Sequence, residues 1–350
     1  MQTPRTAALL GASGYTGADL LRLGVRHPGL KFVALTANTH AGKPMASVYP
    51  HLAGAGLPDL VANEDVDFSG IDVVFCGLPH GTSQNLVARI IEHNPALRVI
   101  DMGADFRFRD PADYGPVYGD AHVAPDLQAR AAYGLTEYNR DAIREAQIIA
   151  CPGCYPTATL LALLPLVQAG AISTDDMIID AKSGVSGAGR APKQATLMAE
   201  AGESVAPYSV GVHRHAPEIE QEIGLAAGKK VAVNFTPHLI PMSRGELITA
   251  HVRLDKAENA DAVRAVLREA YADEPFIRVA EKGVIPSTGH VRGSNYCVIN
   301  VFDDRIPGRV IVIATIDNLV KGSAGQAIQN FNVAFGFPEA TAIEALPLFP

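Results

Sequence analysis

Short apolar runs broken by glycine turns and amphipathic stretches fill the first half of the chain, and that rhythm predicts strands alternating with helices. Thr6 to Leu10 is a first short strand, and Ala18 to Val25 has helical periodicity with leucines at 20, 21 and 23. Further strands are expected at Lys31 to Leu35, Val73 to Cys76 and Val99 to Asp101, with a helix from Ser83 to Ile91 between the last two. The β-branched run from Ile148 predicts another buried strand. A Pro-Gly turn follows, then a helix from Tyr155 to Gln168 with Pro156 in its first turn. This alternation predicts an α/β, Rossmann-type domain.

After that helix the pattern changes. Strands are expected at Met177 to Ala181, Lys230 to Phe235, Glu246 to Leu254, Asn295 to Phe302 and Arg309 to Ile316, with Asp303 to Gly308 as a hairpin connection. Few helices intervene, one at Asn259 to Tyr271. The expectation is an α+β second domain on a mostly antiparallel sheet. A last helix, Ala324 to Gly336, is expected to return to the first domain.

At 350 residues, 48% hydrophobic and 19% charged, the chain is long enough for two domains. A net charge of -8 without a basic stripe argues against nucleic-acid binding. The longest apolar stretch, Leu160 to Ile172, contains Pro165, Gln168 and Gly170, which predicts a core helix and no membrane association. Four scattered cysteines do not make a disulfide framework, and the first residues lack the apolar region of a signal peptide. A cytoplasmic enzyme is expected.

The first chemistry lies at Gly11-Ala12-Ser13-Gly14-Tyr15-Thr16-Gly17, a glycine turn between a strand and a helix. Gly11 and Gly14 let backbone amides approach a pyrophosphate, and Gly17 lets helix and strand pack closely. The whole turn, Ser13, Tyr15 and Thr16 included, is a candidate cofactor site. After the second strand an NAD site commonly carries an acidic residue for the ribose 2′-OH. Here stand Thr36, Thr39 and Lys43, which suit a 2′-phosphate, so NADP is expected. The alternative is that Lys43 only solvates a loop.

Cys154 is the second. A thiol at a helix start meets unpaired N–H groups and the positive end of the helix dipole. Lowering its pKa from about 8.5 by about 1.5 units takes roughly 2 kcal/mol, which that setting and a nearby base can supply. Ser183-Gly184-Val185-Ser186-Gly187-Ala188-Gly189-Arg190 can wrap an anion, and Arg107 can clamp phosphate with its guanidinium fork or form an ordinary surface ion pair. His213 and His215 flank Arg214 and have the pKa for acid/base work beside a thiolate; a structural role for one of them is the alternative. The two cysteines and two histidines lack zinc-site spacing, so no metal is expected. Cys151 and Cys154 also spell a Cys-x-x-Cys dithiol. A thioredoxin-like protein would be shorter and carry that motif in its first strand–helix unit.

Taken together these segments resemble the N-acetyl-γ-glutamyl-phosphate reductases, relatives of the aspartate-semialdehyde dehydrogenases. The resemblance runs through Leu78-Pro-His-Gly81, Gly103-Ala-Asp-Phe-Arg107, Pro152-Gly-Cys-Tyr-Pro-Thr157, Val212-His-Arg-His215, Thr236-Pro-His-Leu-Ile-Pro-Met-Ser-Arg-Gly245 and Ile316-Asp-Asn-Leu-Val-Lys-Gly322. It implies NADPH-dependent reduction of a small-molecule acyl phosphate through a Cys154 thioester, in arginine biosynthesis, by a homo-oligomer (dimer or tetramer). Its catalytic histidine matches His213, leaving His215 to orient it or meet substrate. It also implies cofactor contacts from Ser183, Gly184 and Asn318, the last reaching the nicotinamide, and substrate contacts from Arg107, Ser186 and Gly187. The expected division is an NADP-binding domain of residues 1–153 and 318–350 around a catalytic and oligomerisation domain of residues 154–317. Aspartyl or N-acetyl-aminoadipyl phosphate are alternative substrates, and a cysteine hydrolase or acyltransferase is the alternative from another class. At the position of Cys151 the family usually has no thiol. Two readings stand: a reversible disulfide with Cys154, or a buried strand residue pointing away.

Overall fold

The structure, a computed structural model, describes residues 3–349. Met1, Gln2 and Pro350, which the expected first domain includes, lie outside the described residues. The described residues form two compact units, one of 3–152 with Ser323–Glu344, the other of Gly153–Gly322 with 345–349.

The first unit is built on seven strands: β1 (Arg5–Leu10), β2 (Leu30–Thr36), β3 (Leu60–Val61), β4 (Val73–Cys76), β5 (Arg98–Asp101), β6 (Ala132–Tyr133) and β7 (Ile148–Ala150). They lie in the order β3-β2-β1-β4-β5-β7-β6, and every pair is parallel. The near-continuous apolar character of these strands follows, since a parallel sheet is covered on both faces. On one face Ala8, Leu10, Val74, Cys76 and Val99 pack with Leu86, Val87 and Ile90 of the helix Gln84–His93. The helix Gly325–Phe335 joins this unit, where Asn332 Oδ1 bonds His27 Nε2 at 2.7 Å and Thr136 Oγ1 donates to Asn330 Oδ1 at 2.7 Å. Strand order reverses around β1, with β2 on one side and β4 on the other. The carboxyl ends of β1 and β4 therefore flank the crevice where open α/β sheets bind ligands.

The second unit also has seven strands: β8 (Met177–Gly184), β9 (Ala206–Pro207), β10 (Val233–Ile240), β11 (Glu246–Arg253), β12 (Ile277–Val279), β13 (Cys297–Asp303) and β14 (Arg309–Ile316). Their order is β12-β13-β14-β11-β8-β10-β9. The sheet is mixed: β10 runs parallel to β8 and β12 to β13, and the remaining pairs are antiparallel. The strand expected at Lys230 to Phe235 starts later and runs on through Pro237 to Ile240. The outer neighbour of β10 is the two-residue strand β9, so a missing N–H leaves few ladder bonds unmade. The helix Cys154–Gln168 is buried almost all round, which is why it lacks a polar stripe.

The unit boundaries differ from the expected ones in three places, the first being Gly153, which opens the second unit. Asn318 to Gly322 stay with the second unit, where Asn318 Oδ1 accepts the Gly245 N–H at 2.8 Å. The tail from Ala345 also belongs there; the Leu348 N–H donates to Arg292 O at 2.8 Å, and the Phe349 ring lies 6.4 Å from that of His290.

Candidate active site

In the first unit the glycine turn stands at the end of β1. Gly11 has φ 77°, and a Cβ there would lie 2.7 Å from Gly77 O, so only glycine fits. A Cβ on Gly17 would lie 2.8 Å from Ala12 O, the close helix–strand packing expected of it. Gly14 caps the helix Tyr15–Gly24 without a side-chain bond to its first N–H groups. Those donors and the dipole make an anion site at the β1/β4 crevice, which fits a dinucleotide pyrophosphate.

The remaining cofactor candidates separate by burial. Thr36 is fully buried, and its Oγ1 accepts the Gly11 N–H at 3.2 Å while its carbonyl accepts the Ala12 N–H at 2.8 Å. Its hydroxyl supports the turn from beneath. Thr39 and Lys43 are exposed beyond the end of β2. Ser13 O accepts from the Tyr49 hydroxyl at 3.0 Å, Thr16 Oγ1 bonds Ser323 Oγ at 3.3 Å, and Tyr15 is exposed.

Arg107, expected as a phosphate clamp, is 7% exposed. Its Nε donates to Cys151 O at 2.9 Å and its Nη2 to Met102 O at 3.5 Å. The guanidinium ties the loop after β5 to the end of β7, because buried carbonyls there need donors. Cys151 is likewise buried, with Asn330 Nδ2 at 3.5 Å from its sulfur, and burial pushes its thiol up to about 12. A thiol so reluctant to ionise is a poor partner for disulfide exchange.

In the second unit Cys154 is the first residue of its helix and is half-buried. Gly153 caps that helix, and its N–H is taken by Glu218 Oε1 at 2.9 Å. Thr157 N–H and Oγ1 both donate to Gly153 O at 2.9 Å. Pro156 has no N–H. Cys154 and Tyr155 therefore provide the helix-start donors that have no intrahelical acceptor.

The two histidines differ in position. His213 Nδ1 accepts the His215 N–H at 3.1 Å, and its ring is ringed by Tyr155, Tyr208, Phe235 and His215 at centroid distances of 5.7, 5.3, 5.4 and 4.8 Å. Burial, with the Arg214 charge adding to it, lowers the His213 pKa to about 4. With Nδ1 accepting, the ring proton is on Nε2, and no lone pair is left for base work. His215 heads the helix His215–Ala227, and its ring covers Gly153 so closely that a Cβ there would be 2.5 Å from Nε2. The ring next to the turn before Cys154 is that of His215.

The loop after β8 is compact. Ser183 Oγ donates to Gly184 O at 3.1 Å, and a Cβ on Gly187 would lie 2.8 Å from Ser183 Oγ. A Cβ on Gly184 would lie 2.9 Å from Met242 O and Arg244 N. Asn318 Nδ2 donates to Ser186 Oγ at 3.0 Å, so its amide joins this loop to Gly245. Among its described partners Asn318 is an internal brace.

Sequence reasoning missed Glu246. It is fully buried at the start of β11, neither carboxylate oxygen has a hydrogen-bond partner among the described residues, and the Cys154 thiol is near enough to lower its proton affinity. The signal was available: Glu246 is in phase with Ile248, Ala250 and Val252, the core-facing positions of its strand. A fully buried carboxylate on a core face is a functional-site candidate, because unpaired acids are seldom fully buried.

The chain resembles known proteins over nearly its whole length. Residues 6–146 match the semialdehyde dehydrogenase NAD binding domain, and residues 154–318 the semialdehyde dehydrogenase dimerisation domain. The chain is 55% identical to an N-acetyl-gamma-glutamyl-phosphate reductase of Rhodospirillum rubrum, over 98% of each chain. It is 50% identical to a probable chloroplastic N-acetyl-gamma-glutamyl-phosphate reductase of Arabidopsis thaliana, over 98% of this chain and 84% of that one. In fold it is similar to aspartate semialdehyde dehydrogenase II of Vibrio cholerae, complexed with ASA, with a TM-score of 0.75 at 18% identity, covering 96% of this chain and 99% of the other. No helix among the described residues is long and apolar enough to cross a membrane.

Proposed function

The chain belongs to the N-acetyl-γ-glutamyl-phosphate reductases of the semialdehyde dehydrogenase family, and from that premise we propose how its residues carry the reaction. The reaction is the NADPH-dependent reductive dephosphorylation of N-acetyl-L-glutamyl 5-phosphate to the 5-semialdehyde, a step of arginine biosynthesis. The observation that carries the reading is Cys154, a half-buried thiol heading a buried helix of 15 residues, flanked by an imidazole and a carboxyl.

The Cys154 thiolate attacks the acyl carbonyl, and the N–H groups of Cys154 and Tyr155 stabilise the tetrahedral oxyanion. The Gly153 N–H is excluded from that role by its bond to Glu218. Phosphate leaves, and an acyl thioester remains on Cys154. NADPH, when bound, supplies the hydride that reduces this thioester. His215 gives the proton needed at the reacting oxygen, and His213 holds the His215 backbone through Nδ1. This reverses the roles expected from sequence, and the support is the packing of the His215 ring on Gly153.

The Gly11–Gly17 turn would hold the cofactor pyrophosphate. Thr39 and Lys43, exposed past β2, would meet the 2′-phosphate. Lys43→Ala should weaken NADPH about tenfold, the loss of one exposed charge-assisted hydrogen bond, and leave NADH affinity unchanged. Parallel fluorescence titrations with the two nucleotides read this; an equal loss for both would reject the assignment.

The dimerisation-domain match supports a homo-oligomer. Our reading is a cytoplasmic dimer or tetramer, which sedimentation at assay concentration distinguishes.

Substrate choice is tested by phosphate-dependent NADP reduction with three semialdehydes, those of N-acetylglutamate, aspartate and N-acetyl-aminoadipate. The expected kcat/KM for the first exceeds the others by at least about tenfold, since one methylene in a fitted pocket discriminates by that order. A higher value for either competitor overturns the assignment.

A further inference from the structure

Glu246 has no role in the mechanism above, yet it is the one fully buried carboxyl whose two oxygens both lack an N–H or O–H partner among the described residues. Burying an ionisable group without such partners is costly, so the site must offer something in return. It opens the central strand β11, paired with Ser183 of β8 on one side and Ile316 of β14 on the other. Cys154 is on the same spot: a Cβ on Gly322 would lie 2.7 Å from Cys154 Cβ and 3.3 Å from Ile316 Cδ1.

We propose that Glu246 is a catalytic residue, forming with Cys154 a proton-sharing pair in which the carboxylate takes the thiol proton as the carbon–sulfur bond forms and returns it when that bond breaks. In the forward step the S–H bond breaks, an O–H bond forms on the carboxylate, and the sulfur lone pair attacks the acyl carbon. When the thiohemiacetal collapses to the aldehyde, the carbon–sulfur bond pair returns to sulfur and the same proton moves back from Glu246. The negative charge passes from the carboxylate to the acyl oxygen and departs with phosphate, and the hydride later supplies the charge that returns to the carboxylate, so the proton sharing needs no oxidant or metal. This rests on Cys154 being the nucleophile.

The electrostatics match the task. Burial raises the Glu246 carboxyl, the Cys154 contact opposes that rise, and the Asp317 charge adds to it, leaving it at about 8. An ordinary carboxylate is about four decades too weak a base for a thiol, whereas one near 8 is within about one decade. The groups facing the pair are Asp317 at the end of β14, held by Arg244 Nη1 at 3.3 Å and the Gly293 N–H at 2.6 Å, the phenols of Tyr155 and Tyr208, and the His215 imidazole on Gly153. Burial raises both phenols, so they stay neutral. The carboxyl is raised, so its base form fills as pH rises through about 8 and is lost below it.

Alkylation of Cys154 by iodoacetamide over a range of pH tests the pair without substrate, so its outcome is independent of which acyl phosphate the enzyme uses. The wild-type rate should follow two ionisations, those of a coupled pair. Glu246→Gln should show a single ionisation and alkylate at least about tenfold more slowly at pH 7, and Glu246→Asp should restore the second ionisation. Identical profiles in wild type and Glu246→Gln overturn the proposal, even if turnover falls. Should Glu246→Gln not fold, infrared pH-difference spectra of the wild type decide. The buried carboxylic C=O band should titrate in two steps before alkylation and in one shifted step after it; a band indifferent to alkylation also overturns the pair.

Discussion

Cys154→Ser is expected to lower turnover by roughly four orders of magnitude or more while NADPH binds within about twofold of wild type. The substitution keeps side-chain size and leaves a group that can still meet Glu246, so the helix start and its packing against Gly322 survive. What is lost is a nucleophile that ionises near neutral pH: a hydroxyl in the same place does not, and an oxygen ester in place of the thioester is a poorer hydride acceptor. The glycine turn belongs to the other compact unit, so its anion site is untouched by the change. NADPH oxidation in the steady state and a fluorescence titration of the same preparation measure both quantities. Turnover within a hundredfold of wild type would falsify the thioester route.

His215→Ala is expected to cost about 10²–10⁴ in kcat/KM, the usual worth of a positioned acid/base, and His213→Ala markedly less. A His213 pKa of about 4 leaves its imidazolium populated about once in 10³ at pH 7, so it is a poor proton donor there. Its one acceptor nitrogen already holds the His215 N–H. His213→Gln, which keeps an acceptor for that N–H, should recover much of what His213→Ala loses; His215→Gln should not. Comparison of the four variants in one assay decides the assignment. A larger cost for His213→Ala than for His215→Ala would restore the order that sequence resemblance suggests.

Of the fold, the alternation of strand and helix up to Ile148, the glycine turn and the late antiparallel strands were all legible. Each is a local pattern: periodicity 2 or 3.6, a glycine at a forced positive φ, a proline in a first helical turn. Boundaries moved where a distant neighbour intervened, as at Pro237, which the short partner β9 tolerates. The site was legible only in part. Cys154 announces itself because a strand, a Pro-Gly turn and a helix are consecutive in the chain. Arg107 and Asn318 look equally functional in sequence; in the structure Arg107 donates to Cys151 O and Met102 O, and Asn318 to Ser186 Oγ.

The sequence alone therefore determined the fold class, the glycine turn after β1 and the thiol at a helix start, because all three follow from residues that are neighbours in the chain. Only the tertiary structure shows that the His215 ring rather than that of His213 covers Gly153, that Arg107 and Asn318 bond Cys151 O and Gly245, and that Glu246 is buried beside Cys154. Those roles depend on which side chains long-range strand pairing brings together and removes from water. Proton affinity and hydrogen-bond commitment follow from that burial and company, and residue type by itself specifies neither.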